Sequence, residues 1–401
     1  MLLMNNFYTD LVGKWGAWTG SLPGGVLRDS AQILINKQTN HMKKILLLAV
    51  AAAILATVSA RAQIKVNDSL SVTGWAVSSY QYTKPQPGNS VDSFNLDAAL
   101  LSAVLTPTKG ITATFSLYYR PSSEGGVSPS GSEVTLLDAY ISYDAGGGVT
   151  LTAGKFLSYL GYESFYQISD NMITLANQQF LAPIPGYHEG IKLDYAPNKT
   201  TTMGVALADS LYQKPGYNAT EGDSNLRDGP GAEAYFQYTG VTDVTIWAGV
   251  GYQGKSLPDF NTGEVVDLNG KPVTVWDLWI SYQVTKASTL ALEEIYKDGG
   301  ADNKGSNWLA YYQYNFTDKF SSWFGVSGEK VSNNVLDLTE TDGYNYAPAY
   351  AGASYVKYSI SPNYAITANL SVRAQYSYTK YHDYAPATSA NFVGVEMLFK
   401  F

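Results

Sequence analysis

The chain has 401 residues, no cysteine and a formal net charge of −8. The missing thiols exclude disulfides, thiolate metal sites and cysteine nucleophiles, and the acidity argues against nucleic acid, whose phosphates demand a basic surface. Thirty-two tyrosines, 37 glycines and a mean hydropathy of −0.12 describe strands and turns more than helices.

Residues 1–41 carry Trp15, Trp18 and a Leu-Pro-Gly-Gly stretch without any basic-then-apolar order, and are expected to be an upstream extension outside the fold. Met42-Lys43-Lys44 opens a basic stretch, Ile45 to Val58 is small and aliphatic except for Thr57, and Ala60-Arg61-Ala62 offers a small-x-small cleavage pattern. Residues 42–62 therefore read as a signal peptide cut after Ala62; the apolar run of about 14 residues is short of the roughly 20 that a spanning helix needs. Removing residues 1–62 takes away six Lys/Arg and two Asp/Glu, leaving 20 basic against 32 acidic side chains, a net of −12 over residues 63–401.

From Ser69 onward, apolar and polar residues alternate in segments separated by breaks of two lengths. Tight turns are expected at Thr106–Gly110, Asp144–Gly148, Ala196–Lys199, Thr239–Thr242, Thr285–Ala287, Thr317–Lys319 and Ser361–Asn363. Between them fall longer polar connections: Lys84–Ser93, Pro121–Ser132, Leu157–Tyr187, Leu211–Gly231, Gly254–Pro272, Asp298–Gly305, Val331–Pro348 and Lys380–Ala390. Seven short and eight long connections join sixteen strands, with fourteen to eighteen as the range. Because only a closed barrel satisfies every strand hydrogen bond in lipid, the reading is an all-β transmembrane antiparallel up-and-down barrel, wide enough to hold water, in a bacterial outer membrane.

Facing follows from parity. Ile111, Ala113, Phe115, Leu117 and Tyr119 point outward and Thr112, Thr114, Ser116, Tyr118 and Arg120 inward; Trp276, Leu278, Ile280 and Tyr282 point outward and Asp277, Ser281 and Gln283 inward. In the same way Leu370, Val372, Ala374, Tyr376 and Tyr378 meet lipid, and Arg373, Gln375, Ser377 and Thr379 meet water. The chain ends on a strand whose one side is Val393, Val395, Met397, Phe399 and the terminal Phe401, the ending that barrel-assembly machinery reads. A soluble β-sandwich shows similar alternation but does not combine so many strands with a signal peptide and a terminal Phe.

The third long connection, Leu157–Tyr187, is the longest at about 31 residues, a length that marks function. Its Met172, Ile173 and Leu175 suit packing on a wall, and folding into the lumen would narrow the pore. Glu163, Asp170 and Glu189 are the candidate constriction residues, facing a wall that carries Arg120, Asp138, Lys192, Asp194, Asp277, Lys357 and Arg373. Asp97, Glu233, Glu293 and Glu396 tip the wall toward acid, so a weak cation preference is expected.

Asp138-Ala139-Tyr140, Ala153-Gly154-Lys155-Phe156, Gly161-Tyr162-Glu163 and His188-Glu189-Gly190 resemble a block of the OmpL-like outer-membrane β-barrel porin family, over about Leu136–Tyr195. The chain carries Asn171-Met172-Ile173-Thr174 where that family has an Asn-x-x-Tyr-Ser-like stretch. The resemblance implies a porin, a channel for passive diffusion of small hydrophilic solutes or ions, and leaves the permeant open.

Other chemistry is weak. Gly249-Val250-Gly251-Tyr252-Gln253-Gly254 matches a dinucleotide fingerprint but ends a strand with no helix after it. Asp298–Asn303 lacks the spacing of a dedicated calcium loop. Trp247, Trp279, Tyr235, Tyr311, Gln313 and Asn369 would suit sugars as well as ordinary pore lining. Two alternatives remain: an adhesin or receptor barrel using aromatic loops such as Gly343–Tyr346, or a barrel hydrolase using His188 or His382, the only histidines after the signal. The reading expects no enzyme activity, cofactor or metal. Its expected partners are outer-membrane lipid and lipopolysaccharide, small solutes and, by analogy, two further copies in a homotrimer.

Overall fold

The structure is a computed structural model that describes residues 64–119, 134–163, 167–176, 184–211, 230–254, 256–258, 265–267, 272–299, 304–332, 351–384 and 387–401. The expected upstream extension and signal peptide, Arg120 and the Gly343–Tyr346 loop lie outside these residues.

Sixteen antiparallel strands close on themselves. They are β1 (Leu70–Gln86), β2 (Val91–Thr108), β3 (Ile111–Tyr119), β4 (Val134–Gly146), β5 (Val149–Leu157), β6 (Tyr187–Asn198), β7 (Thr201–Ala208) and β8 (Gly231–Tyr238). The second half comprises β9 (Val244–Gln253), β10 (Val273–Thr285), β11 (Ser288–Asp298), β12 (Gly305–Asn315), β13 (Phe320–Val331), β14 (Ser354–Ala365), β15 (Leu370–His382) and β16 (Ser389–Lys400). Each strand pairs with its sequence neighbours, and β16 pairs with β1 from Ser389↔Gln86 to Lys400↔Trp75, so no edge is left to lipid. Among the described residues no helix is long and apolar enough to cross a membrane; the strands cross.

Outward and inward rows are as alternation predicts. Phe115, Leu117, Ile141, Trp276 and Leu278 are exposed on the outside, whereas Ser116, Tyr118, Asp277, Arg373, Gln375 and Ser377 are buried within. This inversion of the soluble pattern is what lipid on one side and water on the other selects.

Three turns on the short-loop side share a local design. In Val66–Leu70, Phe316–Phe320 and Ile366–Leu370, the first and second amides donate to the carbonyl of the fifth residue, at 2.9–3.2 Å. The side-chain oxygen of the second residue (Asn67, Thr317, Thr367) accepts the fourth and fifth amides. Asn and Thr satisfy turn amides in this way because their short polar side chains mimic backbone.

Two expected connections differ. Lys84–Ser93 shrinks to residues 87–90, because the polar Lys84-Pro85-Gln86 continues β1 against β16. Ser361-Pro362-Asn363 is not a turn but the interior of β14, and the chain reverses at residues 366–369. Pro362 has no N–H to give; the β14–β15 ladder lapses at Ser361 and Pro362, then resumes in the same register at Asn363↔Arg373.

Candidate functional site

β5 leaves the wall at Leu157 and β6 returns at Tyr187; the Ser158 amide donates to the Gly186 carbonyl at 2.9 Å, closing the neck of the loop between them. The described part of this loop lies on the inner wall, held through its main chain. On one side, wall carboxylates accept loop amides. Glu233 on β8 takes Tyr159 N at 2.9 Å, Asp277 on β10 takes Gly161 N at 2.6 Å, and Glu293 on β11 takes Tyr162 N at 2.5 Å.

On the far side the polarity reverses, and wall donors meet loop carbonyls. Asn307 on β12 donates to the Ala176 carbonyl at 3.1 Å, joined by the Tyr355 hydroxyl of β14. Lys357 donates to the carbonyls of Thr174, at 3.2 Å, and Leu175, and Arg373 on β15 donates to that of Asp170. Gln375 accepts the amides of Ile173 and Thr174 at 2.6 and 3.0 Å. An irregular segment cannot leave buried amides and carbonyls unpaired, and here the wall supplies what a ladder would.

Apolar side chains of the loop sit over wall glycines. A β-carbon on Gly249 would lie 2.7 Å from Leu160, one on Gly325 2.6 Å from Met172, and one on Gly394 2.9 Å from Ile173. Met172, fully buried, packs with Ala291, Leu309, Tyr311 and Trp323, and Leu160 with Trp247, Val275 and Ile295. Gly249 and Gly251 thus belong to a strand that makes room for Leu160, and among the described residues the dinucleotide-like motif they form is followed by a short strand, Ser256–Pro258, and not by a helix.

The predicted site residues separate into groups. Glu163 folds the loop on itself: its carboxylate accepts Ala176 N and the Tyr311 hydroxyl, both at 2.6 Å. Burial pushes its carboxyl up, against the Lys357 charge and those two donors, which pull it down. Burial likewise raises the hydroxyl of Tyr159, which also donates to Asp194 at 2.9 Å, and pushes that of Tyr162 up to about 12. Arg373 pairs with Glu396 across β15 and β16, its Nε donating at 2.9 Å, with both side chains almost fully buried. Asp277, Lys357 and Arg373 therefore meet the loop instead of open lumen.

Glu189 is not in the loop. It lies on β6 in the exposed outer row with Ile191, Leu193 and Tyr195, because inward parity on this strand belongs to His188, Lys192 and Asp194. Lys155 stands opposite it in register, which places opposite charges side by side near the strand ends. Asp138 occupies a bulge, where Leu137 and Asp138 together oppose Ser116, and it lines a cavity with Lys192.

Glu233 is the residue that sequence reasoning ranked too low. Besides Tyr159 N it accepts the Ser158 hydroxyl at 2.6 Å and contacts His188 Nε2 at 3.1 Å, tying the loop's exit and return to one buried carboxylate. Parity marked it as inward, but no sequence signal marked it as the point where three donors converge. The same geometry leaves His188 fully buried, out of reach of any substrate. Trp247 and Trp279 stack within 5° at 5.9 Å, so neighbouring rings face one another. Among the described residues no cluster of three His, Asp or Glu could hold a metal ion.

Residues 128–401 match the family described as "Putative beta-barrel porin-2, OmpL-like". No curated protein matches the chain in sequence. Among solved structures, OmpF of Salmonella typhi in complex with daunomycin is similar at 13% identity and a TM-score of 0.61, covering 84% of this chain and 100% of that one. OprB of Pseudomonas putida is similar at 13% identity and a TM-score of 0.59, covering 83% and 94%. OmpT of Vibrio cholerae, in a trimer form, is similar at 12% identity and a TM-score of 0.51, covering 83% and 100%. At such identities the likeness is one of fold.

Proposed function

Because the chain belongs to the OmpL-like β-barrel porin-2 family and is an outer-membrane porin, we propose that it passes small hydrophilic solutes and ions by passive diffusion through a lumen narrowed by the loop at residues 158–186. The observation that carries this reading is the loop's double row of main-chain hydrogen bonds, from the carboxylates of β8, β10 and β11 to the donors of β12, β14 and β15. A segment fixed this firmly to the wall acts as a static constriction. Glu163 serves that constriction by setting the shape of the loop through its carboxylate on the Ala176 amide, and Asp170 by the main-chain carbonyl that accepts from the Arg373 guanidinium.

A homotrimer is the proposed assembly, and residues 42–62 the proposed signal peptide. What supports the trimer is the likeness in fold to OmpT of Vibrio cholerae, which is described in a trimer form.

The test is to refold residues 63–401 into a planar bilayer and record single channels. Discrete open steps are expected. A folded, heat-modifiable barrel that never conducts overturns the reading.

A further inference from the structure

The two wall carboxyls that hold Gly161 and Tyr162 also hold each other. Asp277 on β10 and Glu293 on β11 both point inward, and the register sets them on a diagonal, with Asp277 opposite Ile295 and Glu293 opposite Trp279. One oxygen of each is taken, Oδ2 of Asp277 by the Gly161 amide and Oε1 of Glu293 by the Tyr162 amide. The other two, Oδ1 and Oε2, are buried and meet no donor among the described residues. Yet the two side chains are hydrogen-bonded to one another. Ionised carboxylates only accept, so a bond between them requires a proton.

Among the described residues no lysine, arginine or histidine pairs with either carboxyl. Asp277 is 3% exposed and Glu293 4%, which keeps both from bulk water. Across the ladders, β9 sets Gly249 opposite Asp277 and β12 sets Leu309 opposite Glu293. The titratable groups facing Glu293, besides Asp277, are Tyr162 and Glu163 of the loop and Tyr311 of β12. The nearby cation, Lys357 of β14, faces Glu163 instead. Glu163 therefore makes a second charge on the pair costlier still.

We propose that Asp277 and Glu293 share one proton, and that this proton is the latch that keeps the loop seated on the wall. The inference rests on the reading of residues 158–186 as the constriction. With the proton in place the pair carries one negative charge and its two carboxyls attract. Rising pH sends the proton to the lumen water and leaves two like charges in contact under a cover of protein. The side chains then part and admit water, and the Gly161 and Tyr162 amides lose their fixed acceptors. The loop is held in acid and let go in alkali.

The experiment follows open-channel noise and chymotrypsin cleavage within residues 158–186 from about pH 5 to about pH 9. It compares the refolded mature chain as wild type, Asp277→Asn, Glu293→Gln, and Asp277→Ala with Glu293→Ala. Each amide variant keeps an oxygen for its loop amide and offers an N–H where the proton stood, so it mimics the protonated pair at every pH. Wild type is expected to climb about threefold or more in both readouts, and each amide variant less than half as much. The double Ala variant lacks both acceptors and is expected to be loose at every pH, which separates anchoring from titration. Heat modifiability confirms that each barrel has folded. An amide variant that climbs like wild type, or a wild type that stays level, overturns the latch. A barrel that never conducts overturns the porin reading instead, and its cleavage profile still tests the latch.

Discussion

Gly74 and Phe401 exchange two main-chain hydrogen bonds, 3.0 Å from the Gly74 amide and 2.9 Å from the Phe401 amide, and the Phe401 ring lies 2.7 Å from where a β-carbon on residue 74 would be. The last residue of the chain thus completes the seam, and Thr73 adds a hydroxyl donor to the Phe401 carbonyl at 2.7 Å. Gly74→Val is expected to force the ring aside and cost about 1–3 kcal/mol, the usual penalty for overfilling a packed site. The urea midpoint of refolded barrel in detergent, followed by heat modifiability on gels, measures it; an unchanged midpoint would mean that the ring is not packed against residue 74.

Removing Glu233 unfastens both ends of the loop together. Glu233→Ala leaves the Ser158 hydroxyl, the Tyr159 amide and His188 without their common acceptor, a loss of about 3 kcal/mol in local anchoring. The barrel ladders do not pass through this residue's side chain, so heat modifiability should persist while limited proteolysis cuts within residues 158–186 and open-channel current becomes larger and noisier. Quiet wild-type conductance in this variant would argue that the neck is held by other contacts.

Glu163 makes loop seating depend on pH. Burial holds its carboxyl above the usual carboxylate range, outweighing Lys357, Tyr311 and the Ala176 amide, with Tyr162 and Glu293 also facing it. A raised value in the seated state means that the contribution is fully present below the unseated pKa of about 4.3 and is lost as pH rises through the seated value. Current noise and proteolysis of the loop are therefore expected to be lowest in acid and to climb with pH, and Glu163→Gln should flatten that climb. The same slope in wild type and variant would assign the effect to another group.

Arg373 and Glu396 are stronger together than either is alone. Arg373→Ala strands the buried Glu396 carboxylate and is expected to cost about 3–5 kcal/mol, whereas Arg373→Met with Glu396→Met should cost clearly less. Urea titrations of Arg373→Met, Glu396→Met and the double variant close the cycle; additive losses would mean that the pair is not coupled.

The strand count and the facing of most side chains were legible because a period of two leaves a mark on every strand, from Phe115 and Ser116 to Tyr376 and Ser377. Pro362 was misread because a proline between polar residues looks like a turn whether or not the neighbouring strand can spare one hydrogen bond. Lys84-Pro85-Gln86 was misread because a lysine, a proline and a glutamine in a row carry no apolar alternation, although they continue β1 against β16. The roles of Asp277, Glu293 and Lys357 were illegible for another reason: an inward polar side chain has the same sequence signature whether it faces water or the backbone of a folded-in loop. Glu189 was placed with the loop because it adjoins it in sequence, and only the register of β6 against β5 puts it outside.

A seat built on amides and carbonyls is indifferent to most of the side chains it holds. Apart from Leu160, Met172 and Ile173, which need their glycine berths, and Ser158, Tyr159, Glu163 and Thr174, whose side chains bond the wall, what the inner wall measures in this loop is its length and path. Lineages descending from such a barrel are free to repaint the exposed side of that segment, while an inserted or deleted residue would unseat it. Grafting experiments can use the same licence: segments of equal length should transplant between relatives far more readily than segments of similar composition.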